Sequence, residues 1–258
     1  MFNNYTEQLD TIKSWGHRVY SQHGEDGITQ EIFSRIGVTN QKFLDIGIGT
    51  GQESNTPMLA INHNWTGLCV EKSLDYYEKT VKFFRNKLGR KSGNVVVMHE
   101  NVTAENVNRL VGIVLSGDID FFSIDIDSNE YWIWRALKVV RPRIVLMEYN
   151  SSLGKCPVTV PYRSDFNYMD YPEPRFYYGA SLAALNLLAH DKDYILAGVE
   201  RTGVNAYFID RDTAKGHFLD VPADVAFSPN SARGGHGDWE TQLQKIKDMH
   251  LTLEHVPT

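Results

Sequence analysis

Short apolar segments alternate with longer helical patterns along most of the chain, and this alternation constrains the fold more than any other feature. The segments are continuously apolar, which is typical of strands buried on both faces of a parallel sheet. Two later segments, separated by a short turn, predict an antiparallel pair. We therefore predict an α/β fold with a Rossmann-like, doubly wound sheet that is mostly parallel and ends in an antiparallel strand pair. The predicted strands are residues 42–46, 67–71, 94–98, 121–125, 144–148, 194–199 and 205–209.

The intervening segments carry apolar residues three and four positions apart, as amphipathic helices do. In the clearest case, Ile28, Ile32 and Ile36 share one face of a predicted helix. The helix before Arg141 is predicted to end there because Pro142 follows. We predict a single domain over residues 1–258, with a helical N-terminal extension over residues 1–40. Helices are predicted over residues 25–36, 74–88, 104–115, 131–140, 180–189 and 239–249.

Composition restricts the function classes. Apolar residues make up 42% and charged residues 22% of the 258 residues, as in ordinary globular proteins. The net charge of −6 argues against a dedicated nucleic-acid-binding protein, which would carry a basic surface. Cys69 and Cys156 are too few for a disulfide framework, which indicates a reduced compartment. Since no signal-peptide core and no run of about 18 apolar residues occurs, we expect a cytoplasmic protein without a membrane span.

A segment rich in proline and aromatic residues follows the fifth predicted strand. Residues 151–178 contain four prolines and seven tyrosines or phenylalanines. Loops of this length are usually functional. We therefore predict that this aromatic-rich insertion lines the substrate site, with a cover packed over the sheet edge as the alternative.

The strongest local motif is a glycine-rich turn directly after the first predicted strand. Asp45 lies at the end of that strand, and Gly47, Gly49 and Gly51 follow at alternate positions. Glycine lets the backbone turn sharply and approach a ligand closely. A dinucleotide fingerprint would place its third glycine one residue later, and Asp45 would repel a pyrophosphate. A ligand that carries an ammonium or sulfonium group suits this turn better.

Residues after the second and third strands extend the same candidate site. Glu71 ends the second strand, where its carboxylate is placed to accept both ribose hydroxyls. Asn101 and Val102 follow the third strand and are placed at an adenine edge. Together with the glycine turn, this pattern resembles the class I S-adenosylmethionine-dependent methyltransferases. The resemblance implies the class I methyltransferase fold and S-adenosylmethionine as the cofactor.

Part of the chain resembles one branch of that superfamily, the FkbM-like methyltransferases of sugar and secondary-metabolite pathways. The matching stretches are residues 20–27 (YSQHGEDG), the glycine turn with Ser54–Thr56, and residues 65–71 (WTGLCVE); the remainder matches loosely. The resemblance implies a sugar or sugar-linked acceptor from capsule, other surface-polysaccharide or secondary-metabolite biosynthesis. It also places residues 21–26 beside the methionine end of the cofactor, although they equally form an acidic helix start. The candidate cofactor-binding residues are Gln22, Asp45, Gly47, Gly49, Gly51, Ser54, Glu71, Lys72, Asn101, Val102 and Asp125.

Acidic and amide side chains follow the fourth and fifth strands. Asp125 and Asp127 come after the fourth strand, and Glu148 and Asn150 lie at the end of the fifth. Since ligands bind outside the carboxyl ends of such strands, we expect these four to converge. They form a hard oxygen set suited to Mg²⁺ or Mn²⁺, which would lower the pKa of a substrate hydroxyl. This resembles metal-dependent O-methyltransferases, although Glu-x-Asn replaces the adjacent Asp-Asn of the catechol type.

We name Asp127, Glu148 and Asn150 as candidate catalytic residues, and Asp125, Asp127, Glu148 and Asn150 as candidate metal ligands. Without a metal, Asp127 is the predicted general base, and the histidines at positions 23, 99 and 190 are rivals.

Other activities stay open. Asp125-Ile126-Asp127 is also the D-x-D of metal-dependent glycosyltransferases, which would bind a nucleotide-sugar. N-methylation on the same fold is a further alternative, because an uncharged amine needs less help from a base. Exposed basic residues such as Lys155 and Arg163 allow a phosphate- or phosphoramidate-bearing acceptor. The expected partner is a small-molecule acceptor.

Overall fold

The structure is a computed structural model that describes residues 1–171, 175–232 and 237–257. Residues 172–174 of the predicted insertion therefore lie outside the described residues. Within the described ranges, no helix combines the length and the apolar character that crossing a membrane requires.

Helices and strands alternate through most of the chain, as the sequence pattern predicts. The helices are α1 (Tyr5–Ser14), α2 (Glu25–Ile36), α3 (Pro57–His63), α4 (Leu74–Leu88), α5 (Val107–Gly112), α6 (Glu130–Ala136), α7 (Leu182–Asp191), α8 (Arg211–Ala214), α9 (Ala223–Ala226) and α10 (Trp239–Asp248). The strands are β1 (Lys42–Ile46), β2 (Thr66–Glu71), β3 (Val95–His99), β4 (Gly117–Ile124), β5 (Val140–Glu148), β6 (Val158–Thr159), β7 (Tyr194–Val199), β8 (Asn205–Asp210) and β9 (Glu254–His255).

Seven of the described strands form one sheet in the order β3-β2-β1-β4-β5-β8-β7. β1 pairs in parallel with β2 and with β4, β2 pairs in parallel with β3, and β7 and β8 are antiparallel. The predicted mostly parallel, Rossmann-like sheet with an antiparallel pair is confirmed. The strand order reverses between β1 and β4, and ligands of open α/β sheets bind at such a switch point. A ligand is therefore expected beside the residues that follow Ile46 and Ile124.

A buried ion pair explains why β4 and β5 begin earlier than predicted, at Gly117 and Val140. Asp120 is fully buried, and its carboxylate accepts hydrogen bonds from the Thr39 backbone N–H and hydroxyl and from the Arg143 guanidinium, the last at 3.0 Å. Burial raises the pKa of Asp120, but these hydrogen bonds outweigh it and hold the pKa below its ordinary value. Asp120 and Arg143, charged residues of a kind more common in loops, thus pair with each other inside the sheet.

The predicted helix over residues 131–140 is wrong in its second half, since α6 ends at Ala136. The side chain of Asn108 in α5 donates to the Ala136 carbonyl at 2.8 Å and accepts from the N–H groups of Lys138 and Val139 at 2.7 and 3.0 Å. These backbone groups are therefore not available to continue the helix. The partners lie 28 to 31 positions apart, so no local pattern indicates this ending.

The described chain divides into two compact units. The glycine-loop unit comprises residues 14–125 and 136–146, and the insertion unit comprises residues 1–13, 126–135 and 147–258. The core of the glycine-loop unit contains the fully buried rings of Phe43, Phe121 and Phe122. The prediction of one domain over the whole chain stays a prediction.

In the insertion unit, the aromatic-rich insertion builds a hydrophobic core. β6 pairs antiparallel with β9, and α10 contributes Ile246, so C-terminal residues hold the insertion in place. Aromatic side chains dominate such cores because each buries roughly 150–250 Å². That the insertion also lines the substrate site remains a prediction. The buried cluster consists of Leu153, Val158, Val160, Phe166, Phe176, Tyr177, Tyr178 and Ile246.

Candidate functional site

The glycine loop, residues 47–51, turns the chain away from β1 at the switch point. Gly47, Gly49 and Gly51 all have positive φ, at 89°, 63° and 74°, a region that side chains disfavour. The Gly47 N–H donates to the carbonyl of Val70 in β2 at 2.9 Å, and the Gly51 N–H donates to the carbonyl of Ile48 at 3.2 Å. The loop is thus a hydrogen-bonded turn at the carboxyl end of the sheet.

The surroundings of two of these glycines differ. A Cβ atom on Gly49 would have no heavy atom of the described residues within 4 Å, whereas one on Gly51 would lie 3.0 Å from the Phe83 ring. Gly49 therefore leaves open space beside the loop, and Gly51 permits close packing on α4. A ligand can approach the backbone at Gly49.

Glu71 contacts the backbone of the glycine loop. The residue is 7% exposed, and its Oε2 accepts from the Gly49 N–H at 2.9 Å and its Oε1 from the Ser73 N–H at 2.7 Å. The carboxylate joins the glycine loop to the start of α4, a role that the sequence did not indicate. A carboxylate has about four acceptor positions, so two bonds leave room for the predicted ribose hydroxyls. The ribose contact stays a prediction.

Asp45 is buried at the end of β1, with 3% exposure. Its Oδ2 accepts from the hydroxyls of Ser54 at 2.9 Å and Thr56 at 2.6 Å. The pKa of Asp45 is raised to about 6, mainly by burial. The hydrogen bonds from the two hydroxyls act to lower this pKa, and the charge of Glu71 acts to raise it. Ser54, a predicted cofactor contact, thus also supports the carboxyl group of Asp45.

The other predicted cofactor residues surround the same edge of the glycine-loop unit. The Asp125 N–H donates to the Ile46 carbonyl and the Glu100 N–H to the Glu71 carbonyl, both at 3.0 Å. These bonds bring the residues after β4 and β3 beside those after β1 and β2. Their contacts with a cofactor stay predictions. Val102 is buried, Asp125 is half-buried, and Gln22, Lys72 and Asn101 are exposed.

The turn that precedes α2, which contains Gln22, is organised by Asp26. One oxygen of the buried Asp26 carboxylate accepts from the N–H groups of Val19, Tyr20 and Ser21 at 2.6–2.8 Å. Three charge-assisted hydrogen bonds to one carboxylate hold this turn in a single conformation. Of the two interpretations of residues 21–26, the structural one is thus supported, and the placement beside the methionine end stays a prediction.

In the insertion unit, two predicted catalytic carboxylates lie together. Asp127 and Glu148 each offer an oxygen atom, and these atoms lie within 4.8 Å of each other. The Tyr178 hydroxyl donates to Oε1 of Glu148 at 2.7 Å, and Tyr178 is 4% exposed. The insertion therefore supplies a residue that orients one of the candidate catalytic groups.

Glu130 shapes the turn that presents Asp127. Its Oε1 accepts from the N–H groups of Ile126 and Ser128, both at 3.0 Å, and Asp127 between them has φ of +53°. The pKa of Glu130 is raised to about 7, mainly by burial. Hydrogen bonds from backbone N–H groups act to lower this pKa, and the charge of Asp127 acts to raise it. Oε2 of Glu130 is buried and has no hydrogen-bond partner among the described residues.

Asn150 has a structural role in addition to the predicted one. Its amide nitrogen donates to the carbonyls of Phe176 and Tyr178 at 2.7 and 2.9 Å, and its Oδ1 accepts from the Ser152 N–H at 3.0 Å. The side chain thus ties the end of β5 to the end of the insertion. Its roles in catalysis and in metal binding stay predictions.

The residues that sequence reasoning missed are Thr80, Glu130 and Tyr178. Thr80 donates its hydroxyl to the Gly49 carbonyl at 2.6 Å from inside α4. It lies 31 positions from Gly49, and Tyr178 lies 30 positions from Glu148, so no spacing rule joins these pairs. For Glu130, its position in the acidic stretch that follows β4 was the available signal.

Comparison with known proteins gives similarity to solved methyltransferases at low identity. No family model matches the sequence, and no curated protein matches it. An S-adenosylmethionine (SAM)-dependent methyltransferase from Aquifex aeolicus is 17% identical, with 78% of this chain and 97% of that chain covered and a TM-score of 0.43.

Two further structures are similar to a comparable degree. The N-terminal domain of EvdMO1, in the presence of SAH and D-fucose, is 14% identical, with 82% and 97% covered and a TM-score of 0.47. An O-methyltransferase from Bacillus cereus in complex with SAH is 16% identical, with 80% and 88% covered and a TM-score of 0.43. Similarity at this level transfers no residue roles to this chain.

Proposed function

We propose that this chain is an S-adenosylmethionine-dependent methyltransferase and that its glycine-loop unit binds the cofactor. The observation that carries the proposal is the glycine loop: three glycines with positive φ at the switch point, with open space beside Gly49. Asp45 and Glu71 add two acidic groups beside this loop. Acidic groups suit a ligand with a sulfonium, an ammonium group and ribose hydroxyls, and they disfavour a pyrophosphate.

Bound S-adenosylmethionine would supply a methyl group on a positively charged sulfur. The protein then has to hold an acceptor atom in line with that methyl group and to take up its proton. We propose that Asp127 and Glu148 take up the proton, because an oxygen of each carboxylate lies within 4.8 Å of the other and Tyr178 orients Glu148.

The proposed acceptor is a hydroxyl of a sugar or of a sugar-linked small molecule, phosphate- and phosphoramidate-bearing ones included, in surface-polysaccharide or secondary-metabolite biosynthesis in the cytoplasm. The resemblance of residues 20–27 and 65–71 to the FkbM-like branch supports this choice. A hydroxyl needs a base to take its proton, whereas an uncharged amine needs less help from a base. Two adjacent carboxylates therefore fit a hydroxyl acceptor better than an amine acceptor.

Metal assistance is a second form of the proposal: with a cation bound, Asp127 and Glu148 would hold the cation, and without one they take up the proton. The carboxylates of Asp127 and Glu148 are hard oxygen donors, and their oxygens lie within 4.8 Å of each other, which makes them candidate ligands of one Mg²⁺ or Mn²⁺. A cation there would lower the pKa of an acceptor hydroxyl. Asp125 and Asn150 stay the further ligands predicted from the sequence.

Calorimetric titration of S-adenosylhomocysteine into chelator-treated protein tests the cofactor proposal. We expect the natural chain to bind one molecule and Gly49→Ala to bind at least about tenfold more weakly, because the methyl group enters the space used by the cofactor. Gly89→Ala is the matched control: Gly89 has φ of +55°, and its Cβ position is also open among the described residues. Both substitutions place a side chain at a positive φ, which strains the backbone.

The outcomes separate the alternatives. Equal weakening in both variants would assign the effect to backbone strain and not to a cofactor contact. Absence of binding to the natural chain at millimolar ligand would overturn the proposal. Binding of a uridine or cytidine diphosphate with Mn²⁺ would then support the glycosyltransferase alternative.

A further inference from the structure

Gly49, the middle glycine of the loop, is hydrogen-bonded through both of its backbone groups. Its N–H donates to Oε2 of Glu71 at 2.9 Å, and its carbonyl accepts from the Thr80 hydroxyl at 2.6 Å. Thr80 is fully buried in α4. The loop is thus held from the end of β2 on one side and from α4 on the other.

These two bonds fix two successive peptide groups. A peptide group is planar and trans, so its C=O and its N–H point in opposite directions. Because the Gly49 carbonyl is turned toward Thr80, the N–H of Thr50 in the same peptide group points away from Thr80. The Thr80 hydroxyl therefore determines where this backbone donor is directed.

The same face of α4 supports the end of the loop. Phe83 lies three residues after Thr80, and side chains at this spacing share a helix face. A Cβ atom on Gly51 would lie 3.0 Å from the Phe83 ring. One face of α4 thus provides both a hydrogen bond and a packing surface for residues 49–51.

We propose that Thr80 is a positioning residue for cofactor binding, whose hydroxyl sets the Gly49–Thr50 peptide so that the Thr50 N–H is aimed at a carboxylate or hydroxyl oxygen of the bound cofactor. This inference rests on the proposed function of the glycine loop. Thr80 does not touch the cofactor and acts through the backbone. Its removal lets this peptide rotate, and the donor is then correctly directed only part of the time.

Calorimetric titration with S-adenosylhomocysteine tests the inference on the full chain, with thermal unfolding measured in parallel. Thr80→Val keeps the shape and removes the hydroxyl, and we expect it to weaken binding about fivefold to tenfold, the order of one buried hydrogen bond. Thr80→Ser keeps the hydroxyl, and we expect it to bind within about twofold of the natural chain. Where Thr80→Val does not fold, Thr80→Ala takes its place.

Thr39→Val is the control for a merely structural loss. The Thr39 hydroxyl donates to Asp120 at 2.7 Å, and Thr39 precedes β1, whereas the glycine loop follows it. This variant removes a hydrogen bond of the same kind from the glycine-loop unit, so we expect a lower unfolding temperature with unchanged affinity.

Equal affinity of Thr80→Val and the natural chain would overturn the inference, as would equal weakening in Thr80→Ser. Failure of the natural chain to bind S-adenosylhomocysteine would instead overturn the proposed function, and the inference with it.

Discussion

The buried carboxyl group of Asp45 makes a quantitative prediction about stability and pH. Asp45→Asn replaces an ionisable group by a neutral one of nearly the same shape. The asparagine keeps one oxygen that accepts from the Thr56 hydroxyl, which lies 2.6 Å from Oδ2 in the natural chain. The substitution therefore removes mainly the titration.

The sign and the size follow from the raised pKa of Asp45, about 6 against an ordinary 3.8. The folded state holds the proton more tightly than the unfolded state, so the stability of the natural chain falls as pH rises from about 3.8 to 6 and is level above that. A difference of about 2.2 pH units at 1.36 kcal/mol each corresponds to about 3 kcal/mol. Asp45→Asn does not lose this stability, so its free energy of unfolding relative to the natural chain rises by about 3 kcal/mol between pH 3.8 and 6.

Urea unfolding of both proteins at several values between pH 4 and 7 measures this difference, with an unchanged dependence on urea concentration as the check on the comparison. A difference that is constant with pH to within about 0.5 kcal/mol would refute the burial argument. Thr56→Val provides a second check: the Thr56 hydroxyl lowers the pKa of Asp45 in the folded state, so its loss raises the upper limit of the pH window and leaves the lower limit unchanged.

Two further predictions concern the insertion unit. Tyr178→Phe removes the hydrogen bond to Glu148, and we expect it to weaken Mn²⁺ binding about tenfold by electron paramagnetic resonance. Tyr177→Phe is the control, because that equally buried tyrosine donates to the Thr252 carbonyl; a natural chain that binds no Mn²⁺ would show metal assistance to be wrong. For Glu130, with its pKa raised from 4.5 to about 7, we expect the natural chain to lose about 3 kcal/mol of stability relative to Glu130→Gln as pH rises across that interval. Parallel stability curves from denaturant unfolding would contradict this assignment.

The sheet could be predicted from the sequence because its central strands are short and continuously apolar. β1 lies where predicted, at Lys42–Ile46, and the antiparallel pair differs from the prediction by one residue at the end of β8. The errors arise where polar residues are buried by distant partners. Asp120 and Arg143 indicate loops locally, but they pair inside the sheet at 3.0 Å. Asn108 ends α6 in the same way, through contacts that local periodicity does not contain.

The candidate cofactor site could also be predicted in part, because some of its features are local in the sequence. The motif from Asp45 to Gly51 is local, and the switch point of the sheet determines where it lies. What holds the motif in place is not local: Thr80 comes from α4, and the Phe83 ring lies under Gly51. In the insertion unit, Tyr178 reaches Glu148 because the intervening segment folds into a core of its own. A sequence pattern identifies groups that contact a ligand more readily than groups that orient them.

Glu71 shows why this distinction matters for experiments. Sequence reasoning assigns its carboxylate to the ribose, yet both oxygens already accept backbone N–H groups, from Gly49 and Ser73. Glu71→Ala would therefore disturb the glycine loop and any ribose contact together, and weaker binding would not distinguish them. Glu71→Gln keeps one acceptor oxygen but places an N–H₂ group opposite a backbone N–H, so it also disturbs the loop. A ribose contact is better tested from the ligand, by comparing S-adenosylhomocysteine with its 2′-deoxy analogue on the natural chain. A loss of affinity for the analogue then reports on the ribose hydroxyl while the loop stays intact.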